Sequence, residues 1–477
     1  MSVGRVFRPG ILKNEMVARP LAPAPVSAPA VSRGRWAFAF GRRFLLLLGA
    51  GALLAIPSWF DRRAIVAMFA WNLLLLTLWI LDLRRMRPGV LEVTRTWKGP
   101  LALGVESVVT LGVVNTGAVT LLVRLSDDVP VELRRTLPVL DVEVPDARGT
   151  PDTTVQADYA ITPVERGDLE VGAVSARCRT QWGLAERWLS CSLEQTVRVY
   201  PDLYESRRQA MFLIRSKQVA IEKRRAKVSG LGRDFESLRE YQVGDDMRDI
   251  CWTATARRAK PVTKIYQPER SQAVWIVVDG GRLLRARIDT RMKLDATVDA
   301  ALALAEVALA AGDRVGFVTY GRAIHRRLAP DRGHPHLRAI LDTLATLKPE
   351  RAEADHAAAA ATVLAAQKQR ALVVWLTDLS ETSAVPDIIE SAARLSPQHV
   401  VLFALMRQPE LTALGAAPPS NEEEMYRVLA AQETLERRDV LLRGLKQRGV
   451  LLVDMAPDAP AAALIDQYLS VKDRNLV

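Results

Sequence analysis

Two apolar segments near the N-terminus constrain this chain more than any other feature. The first covers residues 44–57 and extends toward residue 60, and the second covers residues 64–81. A membrane-spanning helix needs roughly 17–25 mostly apolar residues, and both segments reach the lower part of that range. Because backbone groups in lipid must satisfy their own hydrogen bonds, the pattern predicts a two-helix transmembrane hairpin over residues 42–85.

The charges that flank this hairpin predict its orientation. Arginines precede the first segment and follow the second, whereas the connecting turn carries two arginines beside one aspartate. The positive-inside rule then places both termini in the cytoplasm of a multi-pass protein of the bacterial cytoplasmic membrane. The alternative is a signal peptide followed by one anchor. Residues 1–41 are rich in Pro and Ala, which predicts a disordered leader and disfavours that alternative.

The length, net charge and cysteine content of the chain limit how it can fold and what it can bind. Its 477 residues exceed one compact core, so several domains are expected. The net charge of +11 concentrates beside the hairpin and in residues 207–233, which favours a membrane surface over nucleic acid. Residues 203–231 predict a basic linker helix, either solvated or lying on anionic lipid. The three cysteines form no CxxC pair and indicate reduced thiols, with a Cys178–Cys191 bridge as the alternative if the domain is exported.

Short alternating runs between residues 91 and 202 predict a β-domain. Apolar runs at residues 107–114 and 119–125 flank a turn that contains Asn115 and Gly117, and these two residue types tolerate the backbone angles of tight turns. Further runs keep the same spacing, so the pattern predicts an antiparallel β-sandwich that is Ig-like in outline.

Continuous apolar strands alternate with helices over residues 271–477. This pattern predicts an α/β domain with a doubly wound parallel sheet. Such sheets bind ligands outside the carboxyl ends of their strands. Asp279 and Asp378 each directly follow a predicted strand, which makes them the candidate functional residues of this domain.

Residues 232–270 combine apolar residues with alternating arginines and carboxylates. Arginine binds carboxylates through two parallel hydrogen bonds, so the segment predicts a structural clamp. Catalysis by the carboxylates is the alternative, but no nucleophile or base accompanies them. The clamp residues are Phe235, Leu238, Arg239, Tyr241, Gly244, Asp245, Arg248, Ile250, Trp252, Arg257 and Glu269.

The same segment resembles the signature of the bacterial domain of unknown function family 58. That signature reads Phe-x-x-Leu-Arg-x-Tyr-x-x-Gly-Asp, followed by Arg-x-Ile-x-Trp and Ala-Arg, and the chain matches it from Phe235 to Arg257. The upstream Trp182-Gly183-Leu184 and the order of hairpin and β-domain also resemble the family. The resemblance implies that residues 271–477 form a von Willebrand factor A-like domain, whose metal site uses Asp-x-Ser-x-Ser, a threonine and a second aspartate.

The metal site that the resemblance implies is incomplete in this sequence. Asp279 and Asp378 match the two aspartates, but Gly281, Leu283 and Ala354 stand at the other ligand positions. Because Mg²⁺ requires several oxygen ligands, we expect a degenerate site and no cofactor, with Mg²⁺ binding as the alternative. Arg282 is close enough in sequence to be the counter-charge of an aspartate.

The resemblance implies a function through partners. Members of the family are linked to MoxR-type AAA+ ATPases and to the assembly or maturation of other proteins. We therefore expect a non-enzymatic, membrane-anchored scaffold that contacts the lipid bilayer, such an ATPase and a protein client, and not nucleic acid. The alternatives are a metal-dependent hydrolase at Asp279 and a binder of anionic surfaces, either nucleic acid or lipid.

Overall fold

The computed structural model describes residues 22–32, 37–53, 56, 63–87, 90–147, 154–202, 234–242, 245–267, 272–288, 291–378, 385–457, 459–474 and 476. The chain divides into two compact units, an N-terminal unit over Pro20–Tyr200 and a C-terminal unit that begins at Pro201. The basic linker helix predicted over residues 203–231 lies outside the described residues.

The described part of the N-terminal unit contains two helices and thirteen strands. They are β1 (Val26–Pro29), β2 (Val31–Ser32), β3 (Phe38–Phe40), α1 (Arg42–Leu53), α2 (Arg63–Arg85), β4 (Leu91–Trp97), β5 (Leu101–Ala102), β6 (Ser107–Asn115), β7 (Leu121–Asp127), β8 (Val139–Val144), β9 (Val155–Ile161), β10 (Gly167–Val171), β11 (Val174–Thr180), β12 (Ala185–Cys191) and β13 (Gln195–Tyr200).

Two antiparallel sheets of this unit enclose a common core. One sheet has the order β1-β4-β6-β9, and the other has the order β2-β12-β11-β7-β8 with β3 also paired to β12. Val93 and Leu111 from the first sheet pack in one cluster with Leu125 and Val174 from the second. Side chains alternate between buried and exposed along β4, as expected when one face of a sheet covers a core. The unit therefore contains two sheets packed over one core, and the Ig-like sandwich stays a prediction.

The prediction of a disordered leader over residues 1–41 is wrong at the strands β1, β2 and β3, while residues 1–21 and 33–36 lie outside the described residues. β1 pairs with β4, and β2 and β3 pair with β12. β1 lies at the end of its sheet, where Pro29 needs no ladder partner for its missing N–H. The proline-rich composition therefore hid edge strands from prediction. Ala28 in β1 and Ala30, which lies between β1 and β2, are buried against the core.

The two N-terminal helices pack against each other. The indole Nε1 of Trp71 in α2 donates to the carbonyl oxygen of Leu47 in α1 at 3.0 Å, and Gly51 faces the same indole ring. By length and composition, α2 is the one helix in the described residues that is able to cross a membrane. α1 ends at Leu53, and most of the predicted continuation of the first span, residues 54–55 and 57–60, lies outside the described residues.

The described part of the C-terminal unit contains eight helices and ten strands. They are β14 (Asp234–Glu240), α3 (Trp252–Arg258), β15 (Val262–Gln267), β16 (Ala273–Asp279), β17 (Arg287–Ile288), β18 (Arg291–Met292), α4 (Lys293–Ala310), β19 (Arg314–Tyr320), β20 (Ile324–Asp331), α5 (Gly333–Thr346), α6 (His356–Ala366), β21 (Leu372–Thr377), α7 (Val385–Leu395), β22 (Val400–Met406), α8 (Pro409–Ala416), α9 (Glu422–Gln447), β23 (Leu451–Met455) and α10 (Pro460–Asp473).

The main sheet of this unit has the order β20-β19-β16-β21-β22-β23. Its strands are parallel from β19 to β23, and helices α6, α7 and α9 contribute Val363, Ile388 and Leu441 to the core on one face. The prediction of a wholly parallel sheet is wrong at one edge, because β20 runs antiparallel to β19. β20 is polar and largely exposed, as edge strands often are, so it lacks the apolar signal of the inner strands.

Candidate functional site

The sheet brings the two predicted aspartates together. β16 and β21 are parallel neighbours with Val278 opposite Leu376, so the residues that end or follow these strands lie at the same carboxyl edge. Asp279 and Asp378 are each only 3% exposed. A carboxylate buried to this extent requires hydrogen-bond donors or a counter-charge, and the structure supplies a different set to each.

Donors from the chain itself occupy both carboxylate oxygens of Asp279. One oxygen accepts from the backbone N–H of Gly281 at 2.6 Å, and the other accepts from the hydroxyl of Thr377 at 2.6 Å. Burial raises the pKa of Asp279, while nearby His356 and the Thr377 hydrogen bond oppose that shift. Thr377 was not singled out from the sequence, because its position as the last residue of an apolar strand gives no sign of a polar role.

A lysine neutralises Asp378. The Nζ atom of Lys293 lies 2.5 Å from one oxygen of Asp378, and the amide nitrogen of Gln408 lies 3.3 and 3.4 Å from its two oxygens. Lys293 itself is 6% exposed. Sequence reasoning missed this residue, although a single lysine at the start of an otherwise Ala- and Leu-rich helix was a usable signal.

The structure explains why two of the positions that lack a metal ligand do not supply one. A Cβ atom at Gly281 would lie 2.9 Å from the Cβ of Ala354 and 3.0 Å from an oxygen of Asp279. A serine therefore does not fit there without movement. Leu283 is half-buried and brings no oxygen donor. Arg282, which the sequence suggested as a counter-charge of an aspartate, pairs with Glu353 at 2.8 Å.

Aromatic residues back this edge of the sheet. The hydroxyl of Tyr320 lies 2.9 Å from Nδ1 of His356 and accepts from the indole of Trp375 at 2.6 Å. Burial lowers the pKa of His356, and the neighbouring Asp279 opposes that effect. The ring of His356 therefore lies in a packed hydrogen-bonded network rather than in an open cleft.

These residues do not fit a divalent cation. Mg²⁺ takes oxygen ligands in octahedral array, whereas the oxygens of Asp279 already accept two hydrogen bonds and Asp378 faces an ammonium group. Among the described residues, no group of three or more His, Cys, Asp or Glu side chains is arranged to hold a metal ion.

The ion pair found in the predicted clamp segment joins residues that are close in sequence. β14 pairs with β15, and Arg239 donates to Asp245 at 2.7 Å across the end of this hairpin. The backbone N–H of Gln242 also donates to Asp245, and these contacts lower the pKa of the Asp245 carboxyl, the backbone bond most. The predicted clamp positions Gly244 and Glu269, and the side chain of Phe235, lie outside the described residues.

The remaining predicted clamp residues differ in how deeply they are buried. Leu238, Tyr241 and Ile250 are half-buried, whereas Arg248 and Arg257 are exposed. Trp252 is 68% exposed. The tryptophan begins the short helix α3, which turns its first side chain outward, so its role is not in the core.

We expect Trp252→Ala to change the free energy of unfolding by less than about 0.5 kcal/mol, as substitutions away from buried contacts usually do. The fully buried Trp275 of β16 is the matched control, since truncating a core tryptophan costs about 3–5 kcal/mol. Urea unfolding followed by far-ultraviolet circular dichroism compares the two variants. Equal losses would show that Trp252 is packed.

A buried hydrogen-bond cluster around Asp82 joins the helix pair to the β-domain. Asp82 near the end of α2 is fully buried and accepts from the hydroxyl of Thr180 at 2.5 Å. It also accepts from the backbone N–H groups of Leu184 and Ala185, each at 3.0 Å. The turn between β11 and β12 is thus capped by a carboxylate from the helix.

Glycines allow the close approach at this junction. Gly183 has a φ of +64°, which favours glycine. A Cβ at Gly41 would lie 2.1 Å from the carbonyl oxygen of Gly183. The guanidinium of Arg85 stacks 3.8 Å above the ring of Trp182. The Trp182-Gly183-Leu184 motif is therefore the contact point of the helix pair.

Comparison with known proteins agrees with the signature segment. Residues 237–437 match the family model described as "Protein of unknown function DUF58". The chain carries a DUF58 region. This region begins inside β14 and runs through Asp279, Lys293 and Asp378 into α9, so the charged edge of the sheet lies inside it.

Similar proteins exist in several bacteria. Uncharacterized proteins of Mycobacterium bovis and Mycobacterium tuberculosis are 29% identical over 153 residues, which is 32% of this chain and 48% of theirs. The uncharacterized protein YeaD of Bacillus subtilis is 28% identical over 128 residues, 25% of this chain and 30% of its own. The chain thus spans about half the length of its mycobacterial relatives and less of YeaD.

A crystal structure of the conserved hypothetical protein BatB from Bacteroides thetaiotaomicron is 14% identical to this chain, with a TM-score of 0.29. The match covers 43% of this chain and 100% of BatB.

Proposed function

We propose that this protein is a membrane-anchored interaction protein, in which the α1–α2 pair inserts into the bilayer and the DUF58 region works in the cytoplasm. The observation that carries the proposal is a contrast within α2. Asp82 near the end of this helix is fully buried, whereas only 11% of its 18-residue apolar stretch is buried. Apolar side chains left exposed along two adjacent helices require a non-aqueous environment.

Basic residues at the start of α1 and at the end of α2 support the proposed orientation of the helix pair in the membrane. Arg42 and Arg43 begin α1, and Arg84 and Arg85 end α2. Cationic residues on one side of the membrane mark the cytoplasmic face. The two-helix insertion therefore leaves both units on the cytoplasmic side.

Topology reporters test this proposal. We expect a fluorescent protein fused after Val477 to fluoresce and alkaline phosphatase at that site to be inactive, because that enzyme requires export. Phosphatase inserted after Asp61, in the turn, is expected to be active. An active phosphatase at the C-terminus, or extraction of the protein from membranes by carbonate, would contradict the membrane hairpin.

We also propose a non-catalytic role for the loops at the carboxyl edge of the main sheet, which we call the recognition face (residues 280–283, 350–354 and 408). Open α/β sheets bind their ligands at this edge. Arg282 and Glu353 lie partly exposed on the face, whereas the carboxylates behind it are already satisfied by donors. That arrangement supports contact with a partner better than hydrolysis. The partner we propose, by family resemblance, is a MoxR-type AAA+ ATPase acting on a protein client.

Co-purification from bacterial membranes in detergent, with a non-hydrolysable ATP analogue, tests the partner. We expect the full-length protein to recover an AAA+ ATPase and Glu353→Arg to recover several-fold less, because it reverses a charge on the recognition face. Glu433→Arg on α9, which breaks an exposed pair with Arg437, is the matched control. Equal recovery by both variants would exclude this face, and no ATPase with the unmodified protein would exclude the partnership.

A further inference from the structure

We infer that Lys293 is the resident cation behind the recognition face, and that its ammonium group balances the buried Asp378 in place of a divalent metal. The two atoms lie 2.5 Å apart. Only 6% of Lys293 and 3% of Asp378 is exposed. Neither charge is stable at such depth alone, because burying one unpaired ion costs far more than burying a hydrogen-bonded pair.

The position of Lys293 in its helix supports a specific role. Lys293 is the first residue of α4, an 18-residue helix, and the N-terminal end of a helix carries a partial positive charge that disfavours a cation. Lys293 lies in that unfavourable field, and its ammonium group contacts Asp378, which directly follows β21. The pair joins residues 85 positions apart in sequence, so it ties the start of α4 to the neighbouring strand.

The second carboxylate of the edge needs no cation. Asp279 is held by the backbone of Gly281 and the hydroxyl of Thr377, and burial raises its pKa. Lys293 therefore supplies one positive charge to one aspartate. A divalent ion would have to displace this ammonium group, and it would need oxygen ligands at positions that hold Gly281, Leu283 and Ala354. If the recognition face binds a partner as proposed above, that binding is independent of divalent cations; the charge balance itself does not rest on that proposal.

Thermal unfolding of the full-length protein in detergent tests the inference. We expect the midpoint of the unmodified protein to be the same in EDTA, in millimolar Mg²⁺ and in millimolar Mn²⁺. Lys293→Met is expected to lower the midpoint by about 10 °C, because it leaves Asp378 buried without a counter-charge. Adding Asp378→Asn to Lys293→Met should recover a large part of that loss, so that the two substitutions are not additive.

A second lysine–aspartate pair of the same unit supplies the matched control. Lys472 contacts the buried Asp313 at 2.7 Å, and Asp313 precedes β19, at the opposite edge of the sheet. Lys472→Met and Asp378→Asn should therefore add. Stabilisation of the unmodified protein by several degrees in Mg²⁺ or Mn²⁺ would overturn the inference without any variant, and additive effects of Lys293→Met and Asp378→Asn would overturn it as well.

Discussion

Replacing Arg95 with methionine is expected to unfold the N-terminal unit at markedly lower urea concentration than in the unmodified protein. Arg95 is fully buried between the two sheets of the β-domain. Its Nε donates to Asp127 at 3.0 Å, and its two remaining nitrogens donate to the carbonyl oxygens of Leu193 at 2.6 Å and Gly172 at 2.9 Å. The hydroxyl of Tyr159 completes the cluster by donating to Asp127 at 2.7 Å.

The expected loss is about 3–5 kcal/mol, which is the usual cost of removing one partner from a buried ion pair. Methionine fills much of the volume of the arginine stem, so the loss arises from the abandoned carboxylate and the two carbonyl groups rather than from a cavity. The double variant Arg95→Met/Asp127→Leu should recover part of the stability, because it removes the unpaired charge. Full recovery is not expected, since two carbonyl groups stay without donors.

Labelling of the buried cysteines measures the unfolding of the N-terminal unit alone. Cys178 and Cys191 are buried in the β-domain, whereas Cys251 lies in the C-terminal unit and is half-buried. Burial raises the pKa of both Cys178 and Cys191 to about 12, so neither thiol reacts until the domain opens. In a Cys251→Ser background, the urea concentration at which maleimide labels the protein therefore measures unfolding of the N-terminal unit.

Arg124 is the matched control for this experiment. It forms a two-point pair with Asp141 on β8, with contacts of 2.7 and 2.9 Å, but both side chains are more than half exposed. Exposed pairs contribute little to stability, so Arg124→Met should label at nearly the same urea concentration as the unmodified protein. If Arg95→Met and Arg124→Met behave alike, the Arg95 cluster does not hold the sheets together.

The sequence predicted those parts of the fold whose signal is local and apolar. The strands β16, β19, β21 and β22 are continuous apolar runs flanked by helical patterns, and the structure places them side by side in the main sheet. β20 and the early strands β1 to β3 escaped prediction because edge strands need neither apolar character nor a complete set of N–H donors. Their place is decided by the strands they pair with.

The candidate site was predictable only in part, for a related reason. Asp279 and Asp378 could be found because each follows a recognisable strand. Lys293 could not be assigned to Asp378, since nothing local links residues that far apart in the chain. The same limit applies to Asp82, which sits among the arginines after an apolar segment and resembles an ordinary helix end until the turn at Thr180 is brought against it.

Asp82→Leu is therefore the second substitution for which we expect a large effect. Leucine is compatible with the apolar neighbours of Asp82, yet it leaves the hydroxyl of Thr180 and the backbone N–H groups of Leu184 and Ala185 buried without an acceptor. Each abandoned donor costs about 1–3 kcal/mol, so the total loss is expected to reach at least about 3 kcal/mol. Asp82→Asn keeps one acceptor oxygen and should lose less.

The thiol-labelling experiment measures this loss as well, because Cys178 lies on β11, the strand that leads into the capped turn. Asp141→Leu, which replaces an exposed carboxylate of the same unit, controls for the change in charge and hydrophobicity. Asp82→Leu should label at lower urea than Asp141→Leu. Equal behaviour would mean that the turn holds its shape without the helix, and a clear difference would mean that the helix pair and the β-domain unfold together. In that case an inserted helix pair also fixes the orientation of the β-domain at the membrane surface.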